Sequence, residues 1–148
     1  MSKSGMNSGN KEALQELLVD EMKDLYHAEN QLIKALPKMA QAARDPDLKQ
    51  SFQTHLKQTE GHAKRLEQAF QMLDEKAQAK TCKGMQGLLE EGEEEIEEGK
   101  NKEAFAADLG LITSAQKVEH YEISGYGSVR TMAQQIGKSD VAKTPPAK

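Results

Sequence analysis

Two glutamates, Glu119 and Glu122, stand in the segment Gln116-Lys117-Val118-Glu119-His120-Tyr121-Glu122, at positions where a helix needs apolar residues. At helical spacing Phe105, Ile112, Ala115, Ile123, Tyr126, Arg130 and Ala133 lie on or near one stripe. Glu119 falls midway between Ile112 and Tyr126, and Glu122 midway between Ala115 and Val129. Burying one ionised carboxylate without a partner costs on the order of several kcal/mol. Two on a core-facing stripe therefore ask for a compensating cation, and a metal ion is the simplest one. Glu29 repeats the pattern on an earlier helix, between Leu25 and Leu32, and Glu21 is a second acid near that stripe.

The helices that must position these acids follow from hydrophobic spacing. Leu14, Leu18, Leu25, Leu32, Leu36 and Met39 predict a helix from Lys11 to Ala43, with Pro37 expected to kink or interrupt it. Asp45-Pro46 is a helix-start signal, Asp45 as N-cap and Pro46 at the first helical position. The second helix is expected to run to about Asp74, with Phe52, Leu56, Thr59, Ala63, Leu66, Phe70 and Leu73 on one face. A polar connector, Glu75 to Lys80, leads to a short helix over Thr81–Glu98, and a long helix follows from Lys102 to Ile136 with Gly137 as C-cap. Residues 1–10 read as a flexible tail, 11–137 as one helical domain, and 138–148 as a disordered tail.

If the first two helices pair antiparallel about Arg44 and Asp45, the level of Glu29 corresponds to roughly residue 60, where Glu60 and His62 stand. These two project about 160° apart, so one compact site cannot use both. His55 shares the flank of His62 two turns away. Carboxylates from the first and last helices with an imidazole from the second suit iron or manganese, and zinc also accepts such donors. That combination matches the carboxylate di-iron arrangement built inside four-helix bundles.

Each residue also has a plainer role to weigh: a solvated bundle edge for Glu119 and Glu122, a lysine ion pair for Glu29, a carbonyl hydrogen bond for His62. For Glu60 it is a solvated flank, for His55 core packing, and for His120 a surface position or a place behind the ligands. The tyrosines and Cys82 read as structural. The run Glu90–Glu98, with seven glutamates, is the pattern of a solvated helix face or, less simply, of a non-selective metal-sequestering surface.

Composition excludes several classes. A chain of 148 residues suits one domain. Aromatic content of 4 % with no Trp argues against a β-sandwich. A net charge of −4 offers no basic face for nucleic acid. Cys82 is the only cysteine, so neither an intrachain disulfide nor a cysteine-type zinc site can form, which fits a reduced cytoplasm. The first ten residues lack the apolar core of a secretory signal, and no run is long enough to span a membrane.

The segments Asp24-Leu25-Tyr26-His27-Ala28-Glu29, His55-Leu56-Lys57-Gln58-Thr59, Cys82-Lys83-Gly84-Met85-Gln86-Gly87-Leu88 and Gln116–Glu122 resemble the YciE/YciF-type family of ferritin-like bacterial stress proteins, over roughly residues 11–140. The resemblance implies an all-α, ferritin-like four-helix fold: an up-down helix pair, a crossover carrying a short helix, and a long third helix. It further implies frequent dimers and a di-iron site with ferroxidase or stress-protective activity. By analogy Glu29, Glu119 and Glu122 are ligands, with His62 the contribution of the second helix and His55 and Glu60 its alternatives. Family members continue past the position of Gly137 into another helix bearing an acidic stretch that faces the site. Here Thr144-Pro145-Pro146-Ala147-Lys148 stands instead, so the fourth core helix is expected to be truncated and an in-chain site to lack its ligands. A partner chain would then fill the gap, or the centre would be incomplete. The alternative function is a non-catalytic helical stress protein acting by oligomerisation, through an apolar groove along Ile112, Ile123, Tyr126 and Ala133.

Overall fold

The computed structural model describes residues 5–146, which form five helices and, among the described residues, no strand. They are α1 (Ser8–Ala42), α2 (Pro46–Met72), α3 (Lys83–Gly99), α4 (Ala104–Gln135) and α5 (Ser139–Lys143). The expected tails lie partly outside the described residues, at 1–4 and 147–148.

Helix α1 begins earlier than the apolar spacing predicts, because Asn7 caps it by accepting from the backbone N–H of Asn10 at 2.8 Å. It then runs unbroken through Pro37, contrary to the expected interruption. Pro37 is solvent-exposed, so the carbonyl deprived of its N–H partner can turn to water. Asp45 caps α2 as expected, accepting from the N–H groups of Asp47 and Leu48 at 2.9 and 3.0 Å. The same turn is held from α4, where Asp108 accepts from the backbone N–H groups of Arg44 and Asp45, both at 2.9 Å.

The short helix does more than cross over. Helix α3 packs antiparallel on the first half of α4: Tyr121 of α4 lies against Gly84, near the start of α3, and Ala107 against Gly99 at its end. Met85 is buried there, with Leu88, Leu89 and Ile96 half-buried behind it. The partner expected after Gly137 is thus supplied along half of α4 by a helix that precedes it. At its N-terminus Cys82 caps α3, its sulfur accepting from the Met85 N–H at 3.3 Å and lying 2.9 Å from the Tyr121 hydroxyl. That hydroxyl donates to Asp24 at 2.7 Å, so the Cys82 thiol is the donor to Tyr121. Burial pushes both the thiol and the phenol up from their ordinary ranges, which keeps both protons in place. A Cβ at Gly84 would stand 2.7 Å from the pinned Tyr121 ring, so glycine is what lets α3 seat.

The other end of α4 is covered too. Gly137 takes a positive φ of 76° and turns the chain into α5. The tail expected to be disordered instead buries Val141 and Ala142, and the Pro146 carbonyl accepts from the Arg130 guanidinium at 2.8 Å. Two small apolar residues four and five positions past a glycine turn suffice to dock one turn of helix on the core.

The buried apolar side chains form two clusters. One gathers Leu18, Met22, Leu25, Leu66, Phe70, Tyr126, Val129, Ala133 and Val141; the other gathers Ala28, Leu32, Leu36, Phe52, Met85, Leu111 and Val118. On α1 the residue between Leu25 and Leu32 that is fully buried yet charged is Glu29; on α4, between Val118 and Tyr126, it is Glu122; on α2, between Phe52 and Leu66, Thr59 is the buried polar residue. A polar layer therefore cuts across an otherwise apolar interior.

Candidate metal centre

Helices α2 and α4 run parallel and in register at this layer. His55 of α2 meets Glu119 of α4, and seven residues further along each helix His62 meets Tyr126. Seven residues are about two turns, or roughly 10 Å, which leaves one layer between the two pairs. Glu122 projects into it from α4, and Glu29 enters from antiparallel α1 beside His62.

Two overlapping donor sets result. Glu29, His62 and Glu122 each offer one ligand atom within 4.8 Å of the others, and so do His55, Glu119 and Glu122. Glu122 belongs to both. The contacts inside the sets are close: His62 Nδ1 to Glu29 Oε2 at 3.2 Å and His55 Nε2 to Glu119 Oε1 at 2.6 Å. Two donors each about 2.1 Å from one ion stand about 3.0–3.4 Å apart, so this spacing suits ligation. Each set combines two carboxylates with one imidazole, a donor chemistry that fits iron or manganese better than softer metals.

Charge favours a cation. Three carboxylates against two imidazoles leave the cluster at −1 even with both histidines protonated, and at −3 with both neutral. Glu29 and Glu122 are fully buried, so that negative charge sits where water cannot screen it. Tyr126, also fully buried, presents its hydroxyl to this layer; burial first, then the Glu29 and Glu122 carboxylates, push its phenol far above the ordinary range. It remains a protonated neighbour, its ring set edge-on to His62 at 6.3 Å between centroids.

The four residues expected as ligands, Glu29, His62, Glu119 and Glu122, are brought together, with His62 contributed by α2 as foreseen. Glu60 is exposed and takes no part. His55, expected to pack in the core, joins the second donor set; the signal for it was its position two turns from His62 on the same flank. Glu21 stays at the surface edge beside Ile123 and Ser124, and His120 is exposed and bonded to the Gln116 carbonyl at 2.8 Å.

The stripe itself is rotated from the expected one. The buried face of α4 is Ala107, Leu111, Ser114, Val118, Glu122, Tyr126, Val129 and Ala133, while Phe105, Ile112 and Ile123 are exposed. Glu122 therefore lies on the centre line and Glu119 on its edge. The expected groove along Ile112, Ile123, Tyr126 and Ala133 does not exist as such, because the last two are fully buried. The Glu90–Glu98 run is a solvated face tied by surface pairs such as Lys38–Glu93 at 3.2 Å and Lys117–Glu91 at 3.7 Å. Pairs so exposed contribute little.

Comparison with known proteins adds a lineage to this geometry. The profile of a family described as a domain of unknown function, DUF892, matches residues 13–144. The chain is 38 % identical over 135 residues to protein YciF of Escherichia coli strain K12, covering 90 % of this chain and 80 % of that one. The crystal structure of the E. coli stress protein YciF superimposes with a TM-score of 0.84 at 38 % identity, over 88 % of this chain and 82 % of that one. YcfI of Rhodopseudomonas palustris, described as a candidate structural protein, gives a TM-score of 0.84 at 33 % identity over 97 % and 87 %. Among the described residues no helix is long and apolar enough to cross a membrane. An all-α bundle with close structural relatives, matched by the family profile over nearly its whole length, places the chain in the DUF892 family, among the YciF-like stress proteins.

Proposed function

We propose that this protein is a ferritin-like iron-binding protein whose Glu29, His55, His62, Glu119 and Glu122 hold a carboxylate-bridged pair of iron ions, with a ferroxidase, stress-protective role. The observation that carries the reading is that Glu122 is common to two donor sets, each with its own glutamate and histidine. A shared carboxylate holds two ions about 3.5–4 Å apart, the spacing of two-metal sites. Two adjacent irons can share the electrons that reduction of oxygen or peroxide demands. The chain's own residues orient and desolvate the ions: Glu29 and Glu122 supply anionic oxygens from a dry interior, the histidines fix the two ends, and protonated Tyr126 closes the site on the side of Phe70 and Leu66. Manganese fits the same donors, and zinc would occupy them without redox chemistry.

Anaerobic Fe(II) titration followed by admission of oxygen tests this. Two Fe(II) per chain are expected, with ferric absorbance rising in the near ultraviolet faster than in buffer alone. Absence of stoichiometric binding, or the same oxidation rate with and without protein, contradicts it.

A second reading rests on a different observation. Phe105, Leu109, Ile112 and Ile123 form an exposed apolar line down the outer face of α4, 77, 45, 37 and 43 % exposed in that order. Such a line favours self-association, and a structural protein working as a homodimer through this face accounts for it. Sedimentation at micromolar concentration should then show a dimer that Phe105→Asp dissociates; a wild-type monomer contradicts this reading.

A further inference from the structure

The two donor sets that share Glu122 differ in their access to water. In the first, Glu29 and Glu122 are fully buried and the His62 side chain is only 14 % exposed. Beyond it the interior is closed by Tyr126 and by the apolar cluster of Leu25, Leu66, Phe70 and Val129. In the second, the His55 and Glu119 side chains are 16 and 32 % exposed. Glu119 lies at the edge of the buried face of α4, and its helical neighbours one and two turns away, Ile123 and Ile112, are open to solvent. One end of the polar layer is sealed, and the other reaches the surface between α2 and α4.

Resting on the metal reading above, we infer that the two ion positions are functionally unequal: the Glu29–His62 position is a retained inner site, and the His55–Glu119 position is the door through which ions enter and leave. Ligand exchange at a half-exposed carboxylate needs only a side-chain rotation, with water replacing the departing oxygen. Exchange at the inner position needs either a local opening of α1 from α2 and α4 or passage of the ion through the outer position. Glu122, reaching both, is the hand-over ligand between them. The inner ion neutralises the buried carboxylates, while the outer one turns over.

The test uses the whole chain loaded with Co(II), whose release to excess chelator is followed by absorbance. Two equivalents per chain are expected, one leaving on the order of a hundredfold faster than the other. Glu119→Gln should delete the fast equivalent and preserve the slow one, and His55→Gln should do the same. Because Glu119 is partly solvated, Glu119→Gln should fold, and an unchanged circular dichroism spectrum with an intact slow equivalent verifies that within one sample. Conversely Glu29→Gln should remove the slow phase and leave one fast equivalent. Two equivalents leaving at a single rate, or loss of the slow equivalent in Glu119→Gln and His55→Gln alike, overturns the inequality while leaving a two-ion site standing. No bound Co(II) in the wild-type chain overturns the metal reading itself, and this inference with it.

Discussion

Replacing Glu122 with glutamine should abolish binding of both ions and, in metal-free buffer, leave the protein no less stable than the wild type. The two halves of this result have opposite signs and one cause. Glu122 belongs to both donor sets, so its loss removes a ligand from each position at once. Loss of a directly bonded ligand should exceed the 10–100-fold drop in metal affinity typical of residues behind the ligands. Without metal, however, Glu122 is one of two fully buried acids in the same layer. Exchanging a buried charge for a neutral isostere is commonly neutral or stabilising, by about 1–4 kcal/mol. Metal reverses the order. At a free ion concentration 100 times the dissociation constant, the wild type gains about 2.7 kcal/mol per site, whereas the variant gains none. Thermal melts with and without Mn(II) would therefore cross: the variant melts at or above the wild type in chelator and below it in metal. A variant destabilised in chelator, with the same metal-dependent rise as the wild type, would show that Glu122 is a structural residue.

Phe70→Ala should cost about 3–5 kcal/mol, a large part of the roughly 5–15 kcal/mol that holds a domain together. Phe70 is fully buried near the end of α2, set edge-on to Tyr26 with centroids 6.0 Å apart. It belongs to the cluster that joins α1, α2, α4 and α5. Truncation removes most of a ring from the one place where four elements converge, and helices held at both ends cannot easily collapse into the void. With a urea m-value of about 2 kcal/mol/M, the midpoint should fall by about 2 M with little change in slope. A shift under about 0.3 M would mean that this end of the bundle is not packed as described. Tyr126 leans on the same cluster, so the variant should also bind metal less tightly in proportion to its unfolded fraction.

What could be read from residues alone, and what could not, divides along physical lines. The acids announced themselves because a carboxylate on a core-facing position is costly, a signal that survives an error in helix phase. The start of α2 was legible because Asp45-Pro46 fixes both cap and first turn. The phase of α4 was not, because this helix carries large apolar residues on two faces: Phe105, Ile112 and Ile123 outward, Leu111, Val118 and Tyr126 inward. Hydrophobic spacing alone picks the bulkier set, and only the packing of α1 and α3 shows which face is covered. His55 was undervalued for a related reason. Its partner Glu119 sits on a parallel helix, and register between parallel helices joined by a long crossover leaves no trace in local spacing. The role of α3 was obscured by its acidic run, which reads as a solvated connector although Met85, Leu88, Leu89 and Ile96 give it a buried side. The tail after Gly137 was misjudged because a docked helix of five residues depends on the surface beneath it rather than on its own propensity.

The account depends on carboxylates from α1 and α4 and imidazoles from α2 closing around two ions in a layer between two apolar cores. Anomalous diffraction from crystals of the protein loaded with Mn(II) or Fe(II) measures this most directly. The account predicts two peaks on either side of Glu122, about 3.5–4 Å apart, one beside Glu29 and His62 and the other beside His55 and Glu119. Peaks found only along the acidic surface of α3, or none in the polar layer at saturating metal, would contradict it.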